Sequence, residues 1–216
     1  MKMMMGLQRN SLVRWFALLS IVGLACFLAL VVVLHGLRPD DDPLSHTVSE
    51  YALGAYGVLM TLGFVVLGLG SVALVLALAV CHAGKRPAGL VLLVCWSLGV
   101  LVLSVYHTDK SGIPVSPGGF IHSFVALIAL LSLVFSALFY TLYFRRHAQW
   151  QAFARPSLLL TLIMFVTLIV FLASPLAYKG ITERVLLGVD SVWLIGLARH
   201  LFSISTRGLP AGGTKR

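Results

Sequence analysis

The fold is decided between residues 90 and 144, where the chain reads LVLLVCWSLGVLVLSVYHTDKSGIPVSPGGFIHSFVALIALLSLVFSALFYTLYF. Two apolar runs, 90–106 and 120–144, lie on either side of a polar interval, and from Tyr106 to His122 the chain holds two histidines and one aspartate. Crossing a bilayer core of about 30 Å takes about 20 apolar residues in a helix. The stretch therefore predicts two membrane-spanning helices joined by a loop, and it places the chemically interesting side chains in that loop.

The same apolar pattern extends over the rest of the chain, which has 216 residues, 59% of them hydrophobic and only 11% charged. A soluble domain has about 25% charged residues, so this composition excludes one. Six runs are long enough to span a membrane: 15–34, 52–80, 90–106, 120–144, 158–177 and 185–204. We predict an all-α, polytopic membrane protein, a single six-helix transmembrane domain over residues 1–216, with helices at about 15–34, 50–80, 90–106, 120–144, 158–177 and 184–204.

The basic residues predict the orientation of the bundle. Over alternate loops, four of the 16 Lys and Arg residues fall on one side, namely Arg38, Lys110, Lys179 and Arg184. The other twelve fall on the opposite side: Lys2, Arg9, Arg14, Lys85, Arg86, Arg145, Arg146, Arg155, Arg199, Arg207, Lys215 and Arg216. By the positive-inside rule both termini are cytoplasmic and the protein lies in the inner (plasma) membrane. The net charge of +9 then reflects topology, so we predict membrane lipids as partners and no nucleic acid.

This topology brings a set of polar and ionisable side chains to the outer end of the bundle. They are His35, His46, Ser49, Glu50, Tyr51, His107, Asp109, His122, Glu183 and Arg184. His46 and Glu50 are four residues apart and share a helix face if the second helix begins early enough. Thr47 and Glu50 also have the spacing of a capping box, which would make Thr47 the N-cap of that helix. His35 has apolar and loop neighbours and is interpreted as an interfacial residue.

Two or three imidazoles with a carboxylate are a ligand set suited to Zn²⁺. On this basis His46, Asp109 and His122 are the predicted ligands of a divalent metal on the outer side, with His107 as a weaker fourth candidate. Glu50 and Ser49 are the predicted catalytic residues. Other interpretations stay open, because Asp109 also suits a turn or a helix cap, and histidines at a membrane boundary are often interfacial.

Asp190 lies inside the last apolar run, about 9 Å along the helix axis from Arg184. A carboxylate at that depth faces the bundle interior or has a partner. Two interpretations stay open: a structural hydrogen bond to a neighbouring helix, and the floor of a ligand pocket. Asp190 completes the predicted ligand-binding set, which also contains Tyr51, Glu183 and Arg184.

Three motifs in order along the chain resemble a known family. They are Tyr106-His-Thr-Asp109, Gly119-Phe-Ile-His122 and Gly180-Ile-Thr-Glu-Arg184. They resemble the signature of the prokaryotic membrane family called domain of unknown function 998, which has six predicted helices, and segment 45–50 is similar to the start of that family's second helix. The resemblance implies a site made of Ser49, Glu50, Asp109, His122 and Arg184, and it implies no particular activity. His107 departs from the family, which commonly has proline at that position.

Three functions fit this pattern. The favoured one is a membrane protein with an outward-facing polar pocket for a lipid head group or a small polar ligand, with Arg184 as the contact for an anion. The second is a metal-dependent membrane hydrolase acting on an interfacial substrate, in which Glu50 acts as general base on the water bound to the metal. The third is a b-type haem protein with two outer-end histidines as axial ligands.

Overall fold

The structure is a computed structural model that describes residues 2–82, 87–110 and 112–207. Over these residues the chain forms six α-helices, two short 3-10 helices and no β-strand. The α-helices are α1 (Lys2–Leu37), α2 (Gly57–Cys81), α3 (Ala88–Leu103), α4 (Pro117–Arg145), α5 (Gln151–Ala173) and α6 (Leu176–Arg207). The 3-10 helices are Ser49–Ala52 and Ala148–Trp150. The all-α prediction is confirmed for this part of the chain.

Five of these helices are long and apolar enough to cross a membrane, namely α1, α2, α4, α5 and α6. The exception is α3, an apolar helix of 16 residues. At about 1.5 Å per residue it covers about 24 Å, which is less than a bilayer core of about 30 Å. The predicted polytopic membrane protein is therefore supported by five long spans and one short apolar helix. Orientation stays a prediction, and Lys85, Arg86, Lys215 and Arg216 lie outside the described residues.

The six helices pack as a closed ring. Each helix contacts the next one in sequence, and α6 returns to contact α1. The backbones of α1 and α2 approach closely, and a Cβ added to Gly23 would lie 2.9 Å from the Cα of Gly70. Small residues permit such backbone contact in lipid, where van der Waals packing drives helix association. The ring leaves an interior towards which side chains from five helices point.

The predicted start of the second helix at residue 50 is wrong. The 3-10 helix Ser49–Ala52 occupies that position, and α2 begins only at Gly57. Between them Gly54 and Tyr56 adopt left-handed backbone conformations, with φ of 71° and 61°. Such residues interrupt a right-handed helix, so the chain turns before α2 begins.

The predicted capping box at Thr47 and Glu50 is also wrong. Val48 is the residue at the cap position of the 3-10 helix, and no side chain caps that helix. The Thr47 hydroxyl lies 3.2 Å from the hydroxyl of Ser49 instead. The capping interpretation assumed a continuous helix from residue 50, and that helix does not form.

The boundary between the last two helices also differs from the prediction. The fifth helix ends at Ala173 and the sixth begins at Leu176, eight residues before the predicted start at 184. Pro175 sets the boundary because it cannot continue a helix and disfavours helical backbone at the residue before it. The polar segment that follows is helical, so Glu183 and Arg184 lie within the second and third turns of α6.

Candidate ligand site

The predicted site residues lie at the end of the bundle that carries residues 38–56, 104–116 and 174–175, here called the upper end. The segment 38–56 that joins α1 to α2 is called the upper loop. Arg184 on α6 fastens this loop to the bundle. Its Nε donates to Nε2 of His35 at 2.8 Å, and its Nη2 donates to the hydroxyl of Tyr51 at 3.0 Å. Its Nη1 donates to three backbone carbonyls, those of Pro43, His46 and Gly180, at 3.1, 2.6 and 3.0 Å.

This geometry gives Arg184 a structural role. Its guanidinium group is surrounded by uncharged acceptors that belong to the protein itself. Its predicted contact with an anionic head group stays a prediction, and nothing in the arrangement favours it.

His35 is part of the same arrangement, and sequence reasoning missed it. Its Nδ1 donates to the carbonyl of Val31 at 2.6 Å, which leaves Nε2 as the acceptor for Arg184. The imidazole also packs edge-on against Tyr51, with ring centroids 5.4 Å apart. No local signal in the sequence links His35 to a partner 149 residues away.

Tyr51 is buried between two guanidinium groups. Arg38 and Arg184 lie 5.6 and 5.4 Å from the centre of its ring, within the range of cation–π attraction. Arg38 also donates to the backbone carbonyls of Tyr51 and Leu53 at 3.2 and 2.5 Å and forms an ion pair with Asp41 at 2.6 Å. Tyr51 was predicted to bind ligand, whereas the structure places it as the core of the upper loop.

Gly180 allows the upper loop to lie directly on α6. A Cβ added there would come within 2.3 Å of the carbonyl oxygen of His46 and 2.7 Å of that of Pro43. The Ile181 N–H donates to the carbonyl of Leu44 at 3.1 Å. The Gly-x-x-x-Arg motif is thus explained: the glycine admits the loop carbonyls, and Arg184, one turn later on the same face, donates to them.

The upper loop also contains a local turn around Asp42. Its carboxylate accepts from the Leu44 N–H at 3.0 Å and from the Ser45 hydroxyl at 2.9 Å. These two hydrogen bonds hold the pKa of Asp42 below its usual range. The turn presents the carbonyls of Pro43 and Leu44 towards α6.

Asp109 stabilises the segment 104–116, which joins α3 to α4 at the upper end. Its two carboxylate oxygens accept from the N–H and the hydroxyl of Ser116, at 2.7 and 2.8 Å. Ser116 in turn is the N-cap of α4, with its hydroxyl accepting from the Gly119 N–H at 3.0 Å and Pro117 in the first turn. A Cβ on Gly119 would lie 1.9 Å from Oδ2 of Asp109. Asp109 is therefore not itself a helix cap; it holds the loop against Ser116, the residue that caps α4.

His122 is buried, with 4% of its surface exposed. Its Nδ1 donates to the carbonyl of Tyr106 at 2.7 Å, and its ring packs edge-on against Phe64. Because Nδ1 carries the proton, Nε2 presents a lone pair. That nitrogen has no hydrogen-bond partner among residues 2–82, 87–110 and 112–207.

The predicted metal ligands each have other neighbours. Asp109 bonds Ser116, His122 bonds Tyr106, and Nδ1 of His46 lies 3.4 Å from the hydroxyl of Ser45. His107 lies against α2, with Nε2 3.2 Å from the hydroxyl of Thr61. In the part of the chain that the structure describes, no three His, Cys, Asp or Glu side chains are placed to share one ion. Zn²⁺ and haem therefore stay predictions that this geometry does not favour.

Ser49 and Glu50, the predicted catalytic pair, face different spaces. Ser49 lines a cavity in the bundle interior, whereas Glu50 lines an open cleft on the upper surface with Arg38, His46 and Lys110. Successive residues of a 3-10 helix point about 120° apart, which explains the divergence. The two side chains are therefore not presented to one substrate.

The interior cavity is the feature that brings predicted site residues together. It measures about 50 Å³, room for a few water molecules or part of an apolar chain. Its polar lining comes from Ser49, His122 and Glu183, contributed by the 3-10 helix, α4 and α6. Its apolar lining comes from Phe27, Val48, Phe64, Leu67, Trp96, Val100, Leu103, Ala126, Ala129, Leu130, Leu186 and Leu187.

Glu183 joins the cavity to the upper loop. One carboxylate oxygen accepts from the Val48 N–H, and the other accepts from the Ser49 hydroxyl at 3.4 Å. Of the four residues predicted to bind ligand, Glu183 alone lines the cavity, because Tyr51, Asp190 and Arg184 are not part of its wall.

Asp190 lies one helical turn below Leu186 and Leu187, which line the cavity. It is 1% exposed, and both carboxylate oxygens lack a hydrogen-bond partner among the described residues. The structural hydrogen bond to a neighbouring helix is thus not observed, and the carboxyl group is buried next to the cavity floor.

An unpartnered buried carboxyl group lowers stability, so Asp190→Leu is expected to raise the free energy of unfolding by about 1–3 kcal/mol. Thermal unfolding of the detergent-purified protein measures this. Asp190→Asn is the control, because it keeps a polar group at the position and should change stability less. A fall in the unfolding temperature of Asp190→Leu would show that the carboxyl group makes a stabilising contact.

The described chain has six α-helices, five of them long and apolar enough to span a bilayer, and a cavity whose wall is polar towards the upper end. These features define an integral, multi-pass helical membrane protein. Residues 21–200 match the family described as "Protein of unknown function (DUF998)", and the chain belongs to that family. The match confirms the resemblance seen in the three sequence motifs. No curated protein and no solved structure matches the chain.

Proposed function

We propose that this protein binds a lipid or another small amphipathic molecule in the interior cavity. The observation that carries the proposal is the composition of the wall, in which twelve apolar side chains are joined by Ser49, His122 and Glu183. Ligand pockets commonly combine an apolar lining with a few convergent polar groups that fix orientation. The polar groups would take the head of the ligand, and the apolar residues would take the part of its chain next to the head.

The proposal includes the membrane topology. Six spans with both termini in the cytoplasm place the upper end on the outer face of the plasma membrane. The distribution of basic residues supports this orientation. Twelve of the 16 Lys and Arg residues lie towards the two termini and the connections opposite the upper end. The cavity would then open its polar wall near the outer leaflet, where lipid head groups lie.

The polar contacts differ from those expected from the sequence. Arg184 was expected to meet the ligand, yet its donors are directed to the upper loop and to His35. Glu183, the preceding residue, reaches the cavity instead. Arg184 would serve the site indirectly, by holding the loop that carries Ser49.

Filling the cavity tests the proposal. Ala126 lines it, and Ala126→Phe adds a ring to this space. Leu127 is the neighbouring residue on α4 and is 37% exposed on the outside of the bundle, so Leu127→Phe is the matched control. Each protein is purified in mild detergent, and bound small molecules are extracted and identified by mass spectrometry.

We expect the unaltered protein and Leu127→Phe to retain a common molecule that Ala126→Phe loses at least tenfold, given that a blocked pocket loses several kcal/mol of contact. Equal unfolding temperatures for the two variants would show that both are folded. Retention of the same molecule by all three proteins would contradict binding in this cavity.

A further inference from the structure

We infer that the ligand of this cavity is an apolar chain ending in a hydrogen-bond donor, a hydroxyl or an amino group, and not in a phosphate or a carboxylate. The inference rests on the proposed function and names the chemical class of the ligand. It follows from which polar atoms of the wall are already used within the protein and which are left.

The first available atom is Nε2 of His122. The ring is oriented by the hydrogen bond from Nδ1 to the carbonyl of Tyr106 at 2.7 Å, so Nε2 is an acceptor. It lies on a residue of the cavity wall and has no partner among the described residues. A ligand satisfies it by donating a proton.

The second acceptor is the carboxylate of Glu183. It receives the Val48 N–H on one oxygen and, at 3.4 Å, the Ser49 hydroxyl on the other. A carboxylate offers about four lone-pair positions, so accepting capacity is left after these two bonds. An anionic head group has no proton to donate to these lone pairs, so it would leave them without a partner.

The donors of the wall are already engaged. The Val48 N–H donates to the carboxylate of Glu183, and the indole N–H of Trp96 donates to the hydroxyl of Ser71 at 3.0 Å. The hydroxyl of Ser49 has Glu183 and Thr47 as neighbours. Nothing in the described wall is left to donate to a phosphate.

The nearby cations do not compensate for this. The donors of Arg184 and Arg38 are directed to the upper loop, and neither residue lines the cavity. The ammonium group of Lys179 donates to the carbonyl of Phe171 at 2.6 Å. The free hydrogen-bonding capacity of the cavity is therefore that of an acceptor.

Four probes with the same chain test this: octan-1-ol, octylamine, octanoate and octyl phosphate. Each competes with an octanol that carries a photoreactive diazirine on its chain, bound to the full-length protein in nanodiscs. Labelled peptides are identified by mass spectrometry, and probe concentrations are corrected for partitioning into the bilayer. We expect octanol and octylamine to compete at least tenfold better than the two anions, because a buried acceptor left without a donor lowers affinity about 10- to 100-fold.

Glu183→Gln sharpens the test, because an amide keeps an acceptor for the Val48 N–H and adds a donor towards the cavity. We expect octylamine to lose about tenfold in this variant and octanoate to gain. The ranking in the unaltered protein is an independent result that does not require the variant to fold.

The two ways of failing are distinguishable. If octanoate or octyl phosphate competes as well as octanol, while Ala126→Phe still abolishes labelling, the chemical class is overturned and the binding function stands. If no probe competes and labelling is the same in Ala126→Phe, both proposals are overturned.

Discussion

Gly180→Ala is expected to lower the free energy of unfolding by about 2–4 kcal/mol, the sum of a backbone clash and lost hydrogen bonds. The new Cβ would lie 2.3 Å from the carbonyl oxygen of His46. Backbone cannot rotate aside as a side chain can, so the upper loop has to move away from α6. That movement removes carbonyls to which Arg184 donates. Thermal unfolding followed by size-exclusion chromatography measures the loss.

Gly188→Ala is the matched control on the same helix. A Cβ at Gly188 would have no atom within 4 Å. Alanine is favoured over glycine inside a helix by about 0.5–1 kcal/mol, so this variant should be as stable as the unaltered protein or more so. Equal unfolding temperatures for Gly180→Ala and Gly188→Ala would disprove the close contact between loop and helix.

Arg184→Ala is expected to lower the free energy of unfolding by about 2–4 kcal/mol, because several hydrogen bonds from a charged donor to the upper loop are lost. The carbonyls of Pro43 and His46 and the imidazole of His35 would each lose a donor. Arg184→Lys should recover part of the loss only, because an ammonium group cannot reproduce the planar fork of donors. The readout is again the unfolding temperature in detergent.

Arg155→Ala is the control for the loss of a positive charge, since Arg155 is exposed near the opposite end of the bundle. It should change stability by no more than about 0.5 kcal/mol. If Arg184→Ala proved as stable as this control yet lost a bound anionic lipid, the anion contact inferred from the sequence would be right and the structural role wrong.

The membrane fold was predictable because the bilayer imposes a simple length requirement on apolar runs. The predicted run at 120–144 lies within α4, and the predicted run at 52–80 covers all but the last residue of α2 and extends five residues before it. Helix ends were less predictable. Residues 49–52 have the pattern of a helix start, but the left-handed turn at Gly54 and Tyr56 and the contacts to Arg38 and Arg184 keep them separate from α2.

For the site, the sequence identified important residues but not their roles. Arg184, Asp109 and Gly180 stand out as ordered motifs, and the structure uses each of them to fasten a loop. The partners are main-chain atoms far away in sequence, for which residue types carry no signal. Ser49, His122 and Glu183 were each expected at the outer end, yet only the packing of three separate elements shows that they line one cavity.

The short helix α3 also affects the surrounding lipid. Its 16 residues cover about 24 Å, so a bilayer of ordinary thickness has to thin beside it or leave its ends below the head groups. Trp96 and Val100 of α3 line the cavity, so the short helix also forms one wall of the cavity. Hydrophobic mismatch would thus bring water and polar lipid groups deepest into the membrane on the side of the protein nearest the cavity, and membrane thickness would affect how closely they approach it.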